Sequence, residues 1–585
     1  MITDEPRAEP TSGPPPRDHA TGPIRALTNE ARAWIIALLL MLPALIPVAV
    51  HFARAQRGGL ATSYIYYDMP VYMANARALV EGDRIHWFYA NPNDSSTDAP
   101  RIYFQPTTLL YAVVWKSTGL APGLVLSIVG AASAWVCARV AIALFRDAAG
   151  SARDGPHRLA LIALFWGGGL LAAAGAALAV ATHKSPLAFE SLVALDPARG
   201  LWFLNFGRNL VFPTEAAYHA LAFGVLLAVG RRHWIVATLL QLILSACHPF
   251  TSIEVALIVA CWVGFERGFM KNRDVPRLFI VTACAQIIVI LWYYGVYLNS
   301  FEAHRLVHAQ LALDWGIQAR NFVPAYALVA ALAFWPMRDA RRAAAHLSTP
   351  RRRLYLIWFL VAFALANHEF AIRPVQPIHF TRGYIWTPLF LLGVETLLGL
   401  FAAIGGLRVK PVRVLAAAAL LAVMLSDNAA WFAHIAYDGL LDPASRAWRP
   451  PDPAWPRDIR LRPAQRAALD RLNQTDLAGC LLVSRDRLIG YLAIAETPLR
   501  SWLGHFLNTP DFEAKSQALD KLFDAGVLDP SWRDRDLVIL DDRDEPSAAL
   551  AKTLEDSAAT PVFRDADVRI WKVVARDSRA ARNLR

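Results

Sequence analysis

Apolar residues in this chain gather into runs of about 17 to 25, separated by short clusters of arginine, which is the length a helix needs to cross the roughly 30 Å hydrocarbon core of a bilayer. Such runs at 33–52, 123–145, 159–181, 214–230, 234–250, 251–265, 278–299, 322–337, 354–370, 384–404 and 414–432 predict a membrane all-α bundle of about 11 spans. The first run follows Arg25 and Arg32. It is too long for a signal-peptide core and has no small-residue cleavage site, so it reads as an uncleaved anchor with the N-terminus inside. Arginine is densest in the loops this assignment places inside, including Arg231-Arg232 and Arg351-Arg352-Arg353, as the positive-inside rule requires. An odd number of spans puts the C-terminus outside. The pair 234–250 and 251–265 meets at Cys247-His248-Pro249-Phe250 without a loop, and losing one span there would reverse everything after it.

Beyond the last run the pattern changes. Residues 433–456 read as a linker, rich in Pro and Trp from 448 to 456. From 457 to 575, strand-like runs at 480–484 and 536–540 alternate with helical patterns at 486–496, 511–525 and 546–556. A hairpin-like pair follows near Val562 and at 568–574, which predicts a soluble C-terminal α/β domain. Residues 1–31 are rich in Pro and charge without an apolar period and read as a disordered tail, and 576–585 as a frayed basic end. Residues 32–432 form the polytopic unit. There is no internal repeat of the kind many transporters show.

Composition narrows the class. The 585 residues are 55% hydrophobic and 18% charged, with a mean hydropathy of +0.32, whereas soluble domains carry about a quarter charged residues. The net charge of +11 sits largely in the inter-span arginine clusters, so it reports topology and not a nucleic-acid partner. Five cysteines, four in apolar segments and Cys480 alone in the polar region, give neither a disulfide framework nor a zinc spacing.

The loop after the first span holds the most informative stretch: Tyr64-Ile-Tyr-Tyr-Asp68-Met-Pro-Val-Tyr72, continuing through Arg77 to Gly82, and later Tyr103-Phe-Gln105-Pro106. Asp68 stands just beyond the membrane edge among aromatic rings. Partial burial there keeps a carboxylate positioned and poorly hydrated, fit to take a proton from a hydroxyl. The other reading is that Asp68 caps the helix beginning near Pro70.

An Asp in the first outer loop, a Tyr-x-x-x-Ala-Arg-x-Leu-x-x-Gly helix and a Tyr-x-x-Pro element together resemble the polytopic glycosyltransferases of the GT-C superfamily. Gly504-His505-Phe506-x-x-Thr509-Pro510-Asp511-x-x-x-Lys515 is similar to a Gly-His-Trp-x-x-Thr element in the outer domains of some bacterial members, with Phe506 in place of the Trp. The resemblance spans essentially the whole chain. It implies an inner-membrane enzyme with a cytoplasmic N-terminus and a periplasmic C-terminal domain. It also implies a polyprenyl-phosphate sugar donor, a lipid, polysaccharide or protein acceptor, and inversion in a single displacement with Asp68 as base. Many members carry an acidic pair in the first loop. Here there is one acid, with Asp83, Asp94 and Asp98 as candidate seconds, so no cofactor is fixed and a divalent metal stays open.

A leaving phosphate needs fixed cations at the outer boundary, and arginine offers a planar two-pronged donor set. Arg373, His379 and Arg382 fall within ten residues at an outer helix start, as a phosphate cradle or as snorkelling anchors. Arg208 is a further phosphate candidate, or the partner of Glu215. Tyr72, Tyr103, Gln105, Glu215, His248 and His505 are acceptor- or substrate-binding candidates. His248 and His368 also read as satisfied core histidines, His505 as a hydrogen-bonded structural residue, and Glu190 and Asp196 as solvated surface acids or, alternatively, as the second acid or an acceptor-binding group. Glu254 and Glu395, inside predicted spans, call for partners. Lys515 is expected near the mouth of the site. Two further classes fit part of this pattern: a transporter or flippase of a lipid-linked or anionic envelope substrate, and a non-catalytic scaffold for envelope polysaccharide assembly.

Overall fold

The structure, a computed structural model, describes residues 23–55, 59–81, 84–150, 152, 154–200, 204–310, 313, 315–440, 459–565 and 567–575. Residues 1–22 of the expected tail, Asp83, residues 441–456 of the expected linker and the basic end at 576–585 lie outside the described residues, whereas 23–31, read from sequence as tail, belong to the helix Pro23–Met41. Six helices are long and apolar enough to cross a membrane: Asn29–Ala53, Pro122–Ala149, Pro249–Gly268, Arg277–Ser300, Trp386–Gly405 and Lys410–Tyr437. The chain is thus a multi-pass, mostly helical membrane protein. The other expected spans are also helical, as Pro213–Gly230, Trp234–Cys247, Ala319–Phe334 and Pro350–Ala366, but they are shorter or more polar. Trp234–Cys247 would cover only about 21 Å at 1.5 Å per residue.

The span expected at 159–181 is not one straight helix. Gly155–Trp166 and Leu171–Ala181 meet at 65°. Between them lie Gly167, Gly168 and Gly169, where other helices press onto the backbone. A Cβ on Gly168 would fall 2.6 Å from Asp427 Cβ, and one on Gly169 would fall 2.2 Å from the carbonyl oxygens of Pro324 and Ala325. The turn is held by bonds out of the segment, from Gly168 N–H to Met424 O and Leu170 N–H to Pro324 O, each 2.7 Å. An apolar count across three glycines cannot see this break. The last helix differs in the other direction, continuing to Leu440, into what reads as linker from sequence.

Pro122–Ala149 packs along Pro213–Gly230, and Trp386–Gly405 along Ala319–Phe334. At the arginine-rich end, Arg353 makes a two-pronged pair with Glu266 at 2.6 and 3.0 Å, fully buried on the acid's side. Arg352 likewise pairs with Glu395, which supplies the partner that acid requires.

The C-terminal region is a five-stranded mixed sheet in the order Arg500–Ser501, Leu481–Ser484, Leu537–Asp541, Val568–Val573, Thr560–Asp565. The first three strands are parallel and the last two antiparallel. Leu481–Ser484 and Leu537–Asp541 are buried throughout, as strands covered on both faces must be. The helices Arg487–Glu496, Phe512–Ala525 and Ala548–Asp556 stand where the sequence pattern puts them. A strand pair and a helix contact are among the attachments of this unit to the loop after the first span. Leu60–Ala61 pairs antiparallel with Arg460–Leu461, and Arg487–Glu496 packs on the helix Met69–Leu79.

Gly169→Ala is expected to destabilise the bundle by about 1–3 kcal/mol, because the added methyl meets backbone that cannot swing away. Thermal unfolding of the purified protein in detergent checks this.

Candidate active site

Asp68 occupies the N-cap position of Met69–Leu79, with Pro70 in the first turn, yet its side chain makes no capping bond. The helix starts without it, so the carboxylate is available for other partners, and the cap reading is not what the structure holds. Asp68 Oδ1 instead lies 2.9 Å from His505 Nε2. The Leu507 N–H and the Asn508 side-chain amide both donate to His505 Nδ1, at 3.2 and 2.9 Å. That nitrogen must be the acceptor, so Nε2 carries the hydrogen and donates to Asp68. The imidazole is 3% exposed and the carboxylate 28%, so one edge of Asp68 faces outward while the other is held.

Gly504, His505, Phe506, Thr509 and Lys515 of the 504–515 element each have a physical task. Asn93 Oδ1 accepts from the His505 N–H at 2.8 Å. It comes so close that a Cβ on Gly504 would sit 2.4 Å from it. Thr509 Oγ1 accepts from the Gly504 N–H and closes the loop. Phe506 N–H donates to the Tyr67 hydroxyl at 3.2 Å, and the Tyr491 hydroxyl donates to the Tyr67 carbonyl. The Tyr67 ring lies 4.6 Å from that of His505. Lys515, expected near the mouth, bonds Ser95 Oγ at 3.0 Å and sits over Trp502, where it ties the C-terminal region to the first loop.

Arg382 is brought to the same place from the other side of the bundle. Its guanidinium is buried and pairs with Glu215, and it lies in the electrostatic field of Asp68, Tyr66 and Tyr72. His219 fixes its backbone, with Nε2 2.6 Å from the Arg382 carbonyl and Nδ1 2.8 Å from that of Glu215. The Tyr66 hydroxyl bonds Asp68. Burial, reinforced by Asp68, pushes the Tyr72 hydroxyl up to about 12, so it stays protonated as a donor. His379 stacks on Phe250 at 4.5 Å, with its Nδ1 buried and without a hydrogen bond among the described residues. Burial pulls its imidazole down to about 4, against the opposing pull of Asp68. It is therefore neutral at ordinary pH, and contributes a polar group where the sequence suggested a possible cation. His248 lies beside it, ring centroids 5.9 Å apart, and caps Pro249–Gly268 by accepting from Thr251 N–H.

Asp68, Tyr72, Glu215, His248, His379, Arg382 and His505 thus gather at one end of the bundle. Other expected members do not. Arg208 is fully buried, with its donors committed to Asp196, to Asn428 Oδ1 at 2.7 Å and to the Asp427 carbonyl at 3.0 Å. It pairs with Asp196, not Glu215, and a phosphate could reach it only by displacing these buried partners. Asp196, expected at the surface, is 6% exposed because it neutralises Arg208. Arg373 is exposed, with no ion pair among the described residues. Tyr103 bonds His304 at 3.1 Å, and Gln105 accepts from Tyr89 and Thr108, forming a neighbouring aromatic cluster without a bond to Asp68. His368 is satisfied locally, Nδ1 on the Leu365 carbonyl and Nε2 on the Val375 N–H. Asp94 caps Ser96, while Asp98 and Glu190 are exposed. Among the described residues no three His, Cys, Asp or Glu side chains converge as a metal site. Sequence reasoning passed over Tyr66, Tyr67, Asn93 and Tyr491, whose roles depend on contacts more than 400 residues apart in three of the four cases.

No family model matches the chain, and no curated protein matches it. Among solved structures it is similar to ArnT from Cupriavidus metallidurans in the apo state, at 12% identity and a TM-score of 0.45, over 93% of this chain and 98% of that one. It is also similar to the apo oligosaccharyltransferase of Archaeoglobus fulgidus, at 9% identity and a TM-score of 0.48, over 88% of this chain and 69% of that one. The archaeal oligosaccharyltransferase AglB from Archaeoglobus fulgidus, in complex with an inhibitory peptide and a dolichol-phosphate, matches at 10% identity and a TM-score of 0.41, over 88% and 69%.

Arg208→Ala should destabilise the fold by about 3–5 kcal/mol, since it strands Asp196 in the interior, and Asp196→Asn in the same chain should restore part of the loss. Thermal unfolding of the single and double variants measures both. Gly504→Ala should displace Asn93 and with it His505. Faster protease cleavage at the junction between the loop after the first span and the C-terminal region is the expected sign.

Proposed function

We propose that this protein is a membrane glycosyltransferase that moves a sugar from a polyprenyl-phosphate donor to a hydroxyl-bearing acceptor, at the face of the membrane where the C-terminal region lies. The supporting observation is a partly exposed carboxylate, Asp68, held by the His505 Nε2–H and sharing its surroundings with the Arg382 guanidinium. The placement of Arg231, Arg232 and Arg351 to Arg353 at the opposite end of the bundle supports an inward arginine-rich end, and hence a cytoplasmic N-terminus, a periplasmic C-terminal region and about 11 crossings.

In this reading the acceptor hydroxyl lies against the open edge of Asp68. Its oxygen attacks the anomeric carbon as its proton passes to the carboxylate. The bond from that carbon to the phosphate oxygen breaks with inversion, and the electron pair leaves with the phosphate. No acid partner is needed, because phosphate is a good leaving group where an ordinary glycoside is not. His505 donates to Asp68 and fixes which oxygen is presented. Arg382, oriented by Glu215 and His219, offsets the charge growing on the phosphate. Tyr72 and His379 supply neutral polar contacts beside it. Arg208 and Arg373 take no part.

The test is transfer of radiolabelled sugar from a panel of polyprenyl-phosphate sugars, in membranes containing matched amounts of wild type or Asp68→Asn. Wild type is expected to label an acceptor, and the variant to lose activity by about 10²-fold or more while retaining donor. Equal activity in the two would remove Asp68 as the base. Movement of donor across the membrane without transfer would favour a transporter.

A further inference from the structure

At the end of the bundle opposite Asp68 lies a cavity of about 350 Å³, within the usual range of small-ligand pockets. The helix Pro213–Gly230 carries Glu215 near one end and Val229 and Gly230 of the cavity wall at the other. At 1.5 Å per residue the two places are roughly 20 Å apart.

Three guanidinium groups line the cavity, each set against an acid that also lines it. Arg232 pairs with Asp274 at 2.8 Å and Arg352 with Glu395, while Arg351 lies 3.7 Å from Asp147, whose two oxygens are also held by Arg231 at 2.8 and 3.0 Å. The wall therefore presents both signs in equal number. A polyanion would meet the three carboxylates, and an acyl chain would lie against six charges. Among the described residues, two polar atoms of the wall also lack hydrogen-bond partners. Tyr355 is 1% exposed, and its hydroxyl is buried without a hydrogen bond, as is Arg351 Nε. A buried hydroxyl and a guanidinium N–H left unmade are costly unless a ligand completes them. Their chemistry suits a phosphate oxygen. The half-exposed carboxylates of Asp274 and Glu395 suit an ammonium group.

We propose that this cavity binds a zwitterionic phosphate ester of a primary amine, of the phosphorylethanolamine class. The phosphate lies against Arg351 and the Tyr355 hydroxyl, and the amine against Glu395 and Asp274. Its place at the arginine-rich end of the bundle makes a lipid headgroup of that leaflet one source and the free ester the other. The assignment is independent of the chemistry at Asp68.

The full-length protein and its Tyr355→Phe and Arg351→Gln variants, purified in detergent, would be assayed by native mass spectrometry and by thermal shift. The probes are phosphatidylethanolamine, phosphatidylglycerol, O-phosphorylethanolamine and inorganic phosphate. Wild type should retain and be stabilised by phosphatidylethanolamine, with binding weakened about tenfold or more in both variants. Tyr355→Phe keeps the ring and removes only an unpartnered hydroxyl, so its ligand-free midpoint should be no lower than that of wild type. Competition by O-phosphorylethanolamine would support the site and assign the headgroup alone as ligand. Binding of phosphatidylethanolamine without such competition would support the site and assign the lipid. Equal binding of phosphatidylglycerol or of phosphate alone would overturn the zwitterion, and undiminished binding by Tyr355→Phe would overturn the cavity as its place.

Discussion

The arrangement at Asp68 depends on one hydrogen bond that joins residues 437 positions apart, from His505 Nε2 to the Asp68 carboxylate. Each partner is prepared separately. Asp68 stands at a helix start that does not use its side chain, and His505 has its tautomer set by two donors to Nδ1. The bond forms only if the C-terminal region docks on the loop after the first span. Docking is therefore part of the site and not an addition to it. The short strand pair of Leu60–Ala61 with Arg460–Leu461, the Asn93 bond to the His505 amide and the tyrosines 67 and 491 all serve to hold that one contact in register.

Inside the bundle, buried charge is handled by pairing. Arg208 with Asp196, Arg353 with Glu266 and Arg382 with Glu215 are each enclosed with their counter-charge, because an unpaired ion in the interior is far more costly than a matched pair. The three pairs differ in what surrounds them. Arg208 spends its donors on asparagine and backbone oxygens and locks helices together. Arg353 also bonds the Leu347 and Ser348 carbonyls and fixes the arginine-rich end. Arg382 sits among tyrosines in the field of a partly exposed carboxylate, which is the setting in which a fixed cation can influence a ligand. Glu254 is the exception, fully buried with neither carboxyl oxygen hydrogen-bonded among the described residues.

Much of this was legible in the sequence. Apolar runs mark the helices long enough to cross a membrane, and the C-terminal elements read at 480–496, 511–525, 536–556 and 568–574 fall within a residue or two of the observed ones, because length and alternation are local properties, whereas Pro106–Thr118, Pro463–Leu472 and the edge strand Arg500–Ser501 carry no such pattern. The break at Gly167, Gly168 and Gly169 was not legible, since its cause is the approach of Asp427, Pro324 and Ala325 from distant helices. The site shows the same division. Asp68, Arg382 and His379 stand out as polar residues at the ends of apolar runs, and His505 through the Gly504 to Lys515 element. Whether Arg208 faces a ligand or Asp196 depends on how the 182–212 loop folds back over the helix Lys410–Leu440 and its Asp427 and Asn428, which no local pattern records. Tyr67 and Asn93 look like ordinary loop residues until the C-terminal region lies on them.

The most direct test of the account is a cryo-electron microscopy structure of the full-length protein in a lipid nanodisc with a non-transferable polyprenyl-phosphate sugar bound. The account predicts the phosphate beside Arg382 and His379, with the anomeric carbon facing Asp68 while His505 keeps its bond to that carboxylate. A donor phosphate lodged instead at the arginine-rich end, or a carboxylate other than Asp68 nearest the anomeric carbon, would contradict it.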